Sequence, residues 1–210
     1  MTDKILPVFK PPGFSTYDLI RIFKKSTNFK EKIGHGGTLD PFASGLVLLL
    51  LGKATKKFEE IKKWKKVYLA GLRLGAKSST GDIEGQIKIV REKPNFKKDD
   101  VEKVLKEFEG EIEQRVPLYS AAKFKGKPLY LLAKEGKKIK KKKKVKIFKI
   151  ELICFKWPFL TIRITCSGGT YIRQLAEDIG EKLKCGAFLY FLLREQIGPY
   201  NLKECSFTKI

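Results

Sequence analysis

The sequence predicts an α+β fold, with a central mixed, mainly antiparallel β-sheet flanked by helices. Two observations carry this. Segments that read as strands follow one another more often than strict βαβ alternation requires. Hydrophobic residues make up 42% and aromatics 11% of the 210 residues, enough for a sizeable core. No convincing linker interrupts the chain. Residues 1–210 therefore read as one domain with one basic projecting insertion at 117–146.

The elements follow in order. Ser15 and Thr16 can cap a short helix that turns Tyr17, Ile20 and Phe23 inward. A Gly-rich loop spans Gly34 to Thr38 and ends in Leu39-Asp40-Pro41. Ser44 onward reads as a buried helix with Leu46 to Leu51 at its heart. Val67 to Leu74 and Ile83 to Val90 read as strands. Asp99 or Asp100 is expected to cap an amphipathic helix presenting Val101, Val104, Leu105 and Phe108 on one face. Pro117 to Lys146 is rich in Lys, Gly and Pro and is expected to be protruding and partly mobile. Val145 to Phe155 and Phe159 to Thr165 read as strands turned around Trp157-Pro158. Thr170 to Lys184 is a helix carrying Ile172, Leu175, Ile179 and Leu183 inward, stopped by Gly186. Ala187 to Leu193 is a final core strand.

Charge narrows the function classes. Lys and Arg number 45 against 23 Asp and Glu, a formal net charge of +22. Such an excess points to a polyanionic partner. The longest apolar run, Leu46 to Leu51, is too short to span a bilayer, and the N-terminus lacks a signal-peptide pattern. The lysine run carries too few apolar residues at helical spacing to make a membrane-surface helix. Cys154, Cys166, Cys185 and Cys205 are widely spaced. They are expected to be buried free thiols in a reducing cytoplasm. Walker A, dinucleotide-binding and metal-ligand patterns are absent, so neither a nucleotide cofactor nor a metal is expected.

Four constellations can carry chemistry. In Gly34-His35-Gly36-Gly37-Thr38-Leu39-Asp40-Pro41, glycines allow close backbone approach and Asp40 offers a carboxylate nucleophile or base. An ordinary turn is the competing reading of the Asp-Pro pair. In Ser167-Gly168-Gly169-Thr170-Tyr171-Ile172-Arg173, a cation sits in a first helical turn, where the helix dipole opposes it. Arg173 is thus expected to have a specific partner, either a buried carboxylate such as Asp40 or Glu177 one turn on. The lysine run suits either a solvated face or nucleic-acid contact, with Tyr119, Phe124 and Tyr130 available to stack on bases. Tyr68, on the first long strand, reads as a core residue whose hydroxyl needs a partner.

Residues 34–46, Gly-His-Gly-Gly-Thr-Leu-Asp-Pro-Phe-Ala-Ser-Gly-Leu, closely resemble the catalytic motif of the TruB family of tRNA pseudouridine synthases. Lys10-Pro11-Pro12-Gly13-Phe14-Ser15-Thr16 resembles the family's N-terminal signature. Lys66-Val67-Tyr68, with Leu74-Gly75, Thr80, Asp82 and Gly85, resembles a second. Gln114, Pro117 to Ala121, Lys123, Gly126, Tyr130, Ala133 and Gly136 resemble a third. Cys166 to Arg173, with Leu175, Asp178, Gly180, Leu183, Gly186, Ala187 and Arg194, resembles the closing motif. These stand in family order across nearly the whole chain.

The resemblance implies the pseudouridine synthase fold, with 117–146 as a thumb-like lobe over RNA. It implies isomerisation of uridine 55 in the tRNA T loop, without a cofactor, by a monomer in the cytoplasm. It makes Asp40 the catalytic aspartate, nucleophile or base, and Arg173 the arginine that pairs with it. Tyr68 becomes the tyrosine near the target base, and His35 a holder of flipped-out bases. Lys10, Gly36, Thr38, Tyr119, Lys123, Tyr171 and Leu193 fall among its substrate-binding positions. Two departures stand out. Arg115-Val116 replaces a stretch that usually holds a second proline. The chain after Arg194 is short, so the family's C-terminal RNA-binding domain is expected to be absent, which suits a stand-alone enzyme. The competing readings are an RNA-binding protein that has kept the scaffold, and the same chemistry on another RNA.

Overall fold

The computed structural model describes residues 4–117, 119–120, 122–124, 126–136, 139 and 141–205, with backbone alone at 123, 128, 130 and 134. The elements are β1 (Ile5–Lys10), α1 (Thr16–Thr27), β2 (Ile33–His35), β3 (Ser44–Leu51), α2 (Phe58–Lys63), β4 (Lys66–Leu74), β5 (Ala76–Ser78) and β6 (Ile87–Ile89). There follow α3 (Lys98–Lys106), β7 (Gly110–Arg115), β8 (Lys123–Phe124), β9 (Lys127–Pro128), α4 (Leu129–Lys134), β10 (Lys142–Lys156), β11 (Phe159–Cys166), α5 (Ile172–Lys182), β12 (Ala187–Ile197) and β13 (Tyr200–Asn201). Among the described residues, one sheet runs in the order β1-β3-β12-β4-β11-β10-β7, with β2 beside β3 and β13 beside β12. The β1–β3, β2–β3, β7–β10 and β12–β13 pairs are antiparallel, and β12–β3 is parallel. The mixed sheet and helices give the α+β class expected from sequence. The chain divides into two compact units, residues 1–69, 165–169 and 191–210, and residues 70–164 and 170–190.

The first unit is built on β3. Leu46, Leu48 and Leu50 pack with Ala54, Ile61 and Ile197. Val47 and Leu49 on the other face are equally buried. Residues 44–51 are thus a strand and not the expected helix. A run apolar at every position fits either a helix buried all round or a strand covered on both faces. Here the run is only eight residues long, begins beside Gly45 (φ 118°) and stops at Gly52 (φ 57°), which is strand length and strand punctuation. β1 and β2, two of the neighbours of β3, are not foreseen from sequence. Helix α1 starts with a capping box, in which the Asp18 N–H donates to Ser15 Oγ at 3.1 Å and the Ser15 N–H donates to Asp18 at 2.8 Å. Its buried face is one position off the expected phase. Leu19 and Ile20 are inside, and Tyr17 is 66% exposed.

In the second unit, β7 lies against the first half of β10, Lys142 opposite Arg115 and Ile147 opposite Gly110. Lys142–Lys146 of the lysine run are therefore strand residues. Lys137, Lys138 and Lys140 lie outside the described residues. Within 117–146, β8 pairs with β9 and leads into α4, whose Leu129 and Leu132 pack with Val116. Helix α3 buries Val101 and Leu105 as expected, while Val104 is only half-buried and the buried Phe108 lies two residues past the helix; its N-cap is Lys97. Asp100 stands three positions into the helix and accepts the Lys97 N–H at 2.8 Å. The expected strand at Ile83–Val90 shrinks to β6, because 80–85 turns around Asp82 instead. The four cysteines are free, but Cys154 is exposed on β10 and Cys205 is only partly buried. Helix α5 buries Ile172, Leu175 and Ile179 as expected. β12 runs four residues beyond Leu193.

Candidate active site

Asp40 lies on a loop fixed from both sides. Before it, Leu39 is held by Thr16, whose hydroxyl accepts the Leu39 N–H at 2.9 Å and donates to the Leu39 carbonyl at 3.3 Å. After it, the Pro41 carbonyl accepts from the Gly13 N–H at 2.9 Å and from Lys10 Nζ at 3.0 Å. Lys10 is 0% exposed and also donates to the Pro11 and Phe14 carbonyls. The K-P-P-G-F-S-T segment therefore serves the loop as a backbone cradle. The Ala43 N–H closes a turn onto the Asp40 carbonyl, and the side chain of Asp40 is half-buried.

Beneath the same loop lies Arg194. It is 1% exposed. Its Nε donates to the Leu46 carbonyl at 2.8 Å, Nη1 to Thr38 at 3.1 Å and Nη2 to Gly37 at 3.1 Å. Gly45 makes this approach possible, since a Cβ there would sit 2.4 Å from the Arg194 carbonyl. Three titratable groups feel the guanidinium. The Tyr68 phenol is pushed up, first by burial; Arg194 opposes the shift through its charge and a hydrogen bond, and Asp40 adds to it. The phenol is thus neutral at physiological pH and its O–H can donate. His35 is pushed below 6.5 by burial, then by Arg194. Its Nδ1 accepts the Gly37 N–H at 3.3 Å, which leaves the ring proton on Nε2. Lys66 falls to about 8, chiefly through burial. Its ammonium satisfies the Ile61 and Lys62 carbonyls at the C-terminal end of α2, and that of Trp64.

In the second unit, Arg173 occupies the first turn of α5. Its partners there are the Asp82 carboxylate at 3.3 Å, the Thr80 carbonyl at 2.9 Å and the Tyr119 carbonyl at 2.8 Å. Asp82 itself accepts from the Thr80 hydroxyl at 2.6 Å and the Glu84 N–H at 3.1 Å. The fully buried Gln114 amide grips Tyr171, accepting its N–H at 3.1 Å and donating to its carbonyl at 3.3 Å. A cavity of about 500 Å³ opens beside this assembly, lined by Arg115, Tyr119, Lys141, Lys142, Arg173 and Glu177 among others. Glu177 is pushed up to about 6, first by burial and then by Asp178 and Glu181, against the pull of Arg173 and Lys77.

A family model for the TruB pseudouridylate synthase N-terminal domain matches residues 24–172. The chain belongs to the TruB family of pseudouridylate synthases. It is thereby an isomerase. A protein of Clostridium kluyveri named tRNA pseudouridine synthase B is 42% identical over 203 residues, covering 96% of this chain and 70% of its own length. A protein of the same name from Caldicellulosiruptor saccharolyticus is 44% identical over 200 residues, covering 95% and 69%. Among solved structures, a chain from the crystal structure of a Cbf5-Nop10-Gar1 complex superposes with a TM-score of 0.73 at 31% identity over 94% of this chain. The chain spans about half the length of that structure's chain (49%). A crystal structure of a pseudouridylate synthase, 15% identical with a TM-score of 0.50 over 98% of this chain, shares the fold.

The first unit gathers Lys10, His35, Gly36, Thr38, Asp40, Tyr68 and Leu193. Gly36 is buried against Ile61 and Leu48, and Leu193 stands opposite Ser44 in the parallel β12–β3 register. The Thr38 side chain is exposed, and its carbonyl is used by Arg194. The second unit carries Tyr119, Tyr171 and Arg173. Tyr119 is 49% exposed on the cavity rim, and Lys143 Nζ lies 5.4 Å from the centre of the Tyr171 ring. The side chains of Lys123 and Tyr130 lie outside the described residues. The TruB signatures contained Asp82 and Arg194, but spacing gave them no role. Their partners are 91 and up to 157 residues away, so no local signal was available.

Proposed function

We propose that this TruB-family chain converts uridine 55 in the T loop of tRNA to pseudouridine. The relatives named tRNA pseudouridine synthase B support the choice of tRNA. One observation carries the chemistry: the Asp40 loop is immobilised on both flanks while Tyr68 stands within its electrostatic reach. The reaction breaks the bond from ribose C1′ to uracil N1, turns the base, and joins C1′ to C5. N1 gains a proton and C5 loses one, so no outside redox equivalent is required. The Asp40 carboxylate works at the ribose. The neutral Tyr68 O–H and the Nε2–H of His35 hold the extruded nucleotide, whose removal from the stack costs a few kcal/mol. Arg173, oriented by Asp82, completes the catalytic set. Lys10, Gly36, Thr38, Tyr119, Lys123, Tyr171 and Leu193 shape the binding surface, and the basic segment 117–146 meets the phosphate backbone. The enzyme acts as a monomer in the cytoplasm.

Tritium release from T-arm RNA labelled at uridine C5 tests this, with wild type beside Asp40→Asn. Wild type should release label, and the variant should fall by about 1,000-fold or more while still binding RNA. Tight RNA binding without release from wild type would sink the reading in favour of a binding protein or another RNA substrate. Equal release from both would remove Asp40 from the mechanism.

A further inference from the structure

We propose that Arg194 is a positioning residue for catalysis: its buried guanidinium fixes the Asp40 loop and the Tyr68 phenol together, so its contribution falls on turnover and not on RNA binding. The inference rests on the reading of Asp40 and Tyr68 as reacting-site groups. Its basis is the kind of partner Arg194 keeps. An arginine buried to 1% exposure is ordinarily matched by a carboxylate, because an unpaired buried charge is costly. Among the described residues, no carboxylate stands among the hydrogen-bond partners of Arg194. They are the carbonyls of Gly37, Thr38 and Leu46, and the Tyr68 phenol lies within the electrostatic reach of the same guanidinium.

The planar guanidinium has its donors in a fixed fork. Two of them reach consecutive carbonyls, and the second of these lies two residues before Asp40. A third reaches the start of β3, on the far side of Asp40 in sequence. One rigid group thus spans the loop on which Asp40 stands. The register Arg194 opposite Gly45, with no room for a Cβ at Gly45, sets the depth of the fork. Charged and titratable groups converge on it from several elements: His35 from β2, Lys66 and Tyr68 from β4. Cys166 of β11 and Asp40 of the loop act on the same tyrosine.

Geometry and charge can be separated with two variants. Arg194→Lys keeps the charge and loses the fork. Arg194→Met loses both. On T-arm RNA, both should lower kcat by about 100-fold, the scale of a 1 Å misplacement, with KM within about threefold of wild type. His35 is the only histidine in the chain, so its ring-proton NMR signal is an unambiguous reporter. Its titration midpoint should stay low in Arg194→Lys and move up in Arg194→Met. A loss of activity confined to KM would overturn the proposal. So would a His35 midpoint unchanged in Arg194→Met, or the failure of both variants to fold. If wild type itself converts no T-arm RNA, the functional reading fails, and the NMR titration still reports on the charge of Arg194.

Discussion

The Asp40 loop and the cavity bearing Arg173 handle charge in opposite ways. Around Asp40, two cations, Lys10 and Arg194, are buried and each donates to three backbone carbonyls. These partners are backbone carbonyls, so what the two cations set is the shape of the loop. Around the Arg173 cavity, Arg115, Lys141 and Lys142 stand at the wall, and Lys142 has only an exposed ion pair with Glu113. Exposed pairs of this kind contribute little to stability and exchange readily for a phosphate. The contrast separates cations that build from cations that bind. It also explains why the net charge of +22 is a poor guide to which lysines touch RNA.

The sharpest way to break the contrast is Gly45→Ala. A side chain there meets the Arg194 backbone, and the φ of 118° is itself unfavourable to alanine. We expect a loss of about 3 kcal/mol in stability, read by denaturant unfolding. A loss below about 1 kcal/mol would mean that the loop is not tightly fixed. Next comes the binding side. Lys144 and Lys146 are exposed on β10. Replacing both by alanine should weaken RNA binding and flatten the slope of log K against log salt by about 2, with kcat unchanged. A fall in kcat at saturating RNA would blur the distinction between the two regions.

The smallest effect concerns His35. Its folded pKa lies below 6.5, so below that pH the unfolded chain takes up a proton that the folded chain refuses. Stability therefore falls as pH drops through about 6.5 and levels off below the folded pKa. The Tm advantage of wild type over His35→Gln should shrink between about pH 7 and 5.5. An advantage constant over that range would show that the histidine is not buried in its neutral form.

What the sequence disclosed tracks how local each signal is. Gly36 to Pro41 is legible as a loop because glycine and proline act on their own backbone, whereas Gly34 and His35, expected in the same loop, belong to β2. Ser15 was legible because its partner Asp18 is three residues on. Phe159 to Thr165 and the α5 helix were legible from their own periodicity. The run Leu46 to Leu51 was misread because uniform burial erases the periodicity that tells helix from strand. Asp99 or Asp100 reads as a cap because an N3 carboxylate and an N-cap carboxylate differ only in which backbone N–H they accept, and both in fact lie inside the first turn. Asp82 as the partner of Arg173, and the three carbonyls beneath Arg194, were invisible because nothing near them in sequence encodes them.

That long separation also has a consequence for how the molecule comes into being. The loop bearing Asp40 precedes in the chain the side chain that braces it, which stands on β12, 156 residues after Thr38. Contacts of such range form late, after the loop-closure entropy of most of the chain has been met. A nascent chain extended only to residue 190 already carries the aspartate and the tyrosine but not the guanidinium beneath them. The loop is therefore braced only once β12 docks beside β3, and a chain made no further than residue 190 holds that loop without the guanidinium that spans it.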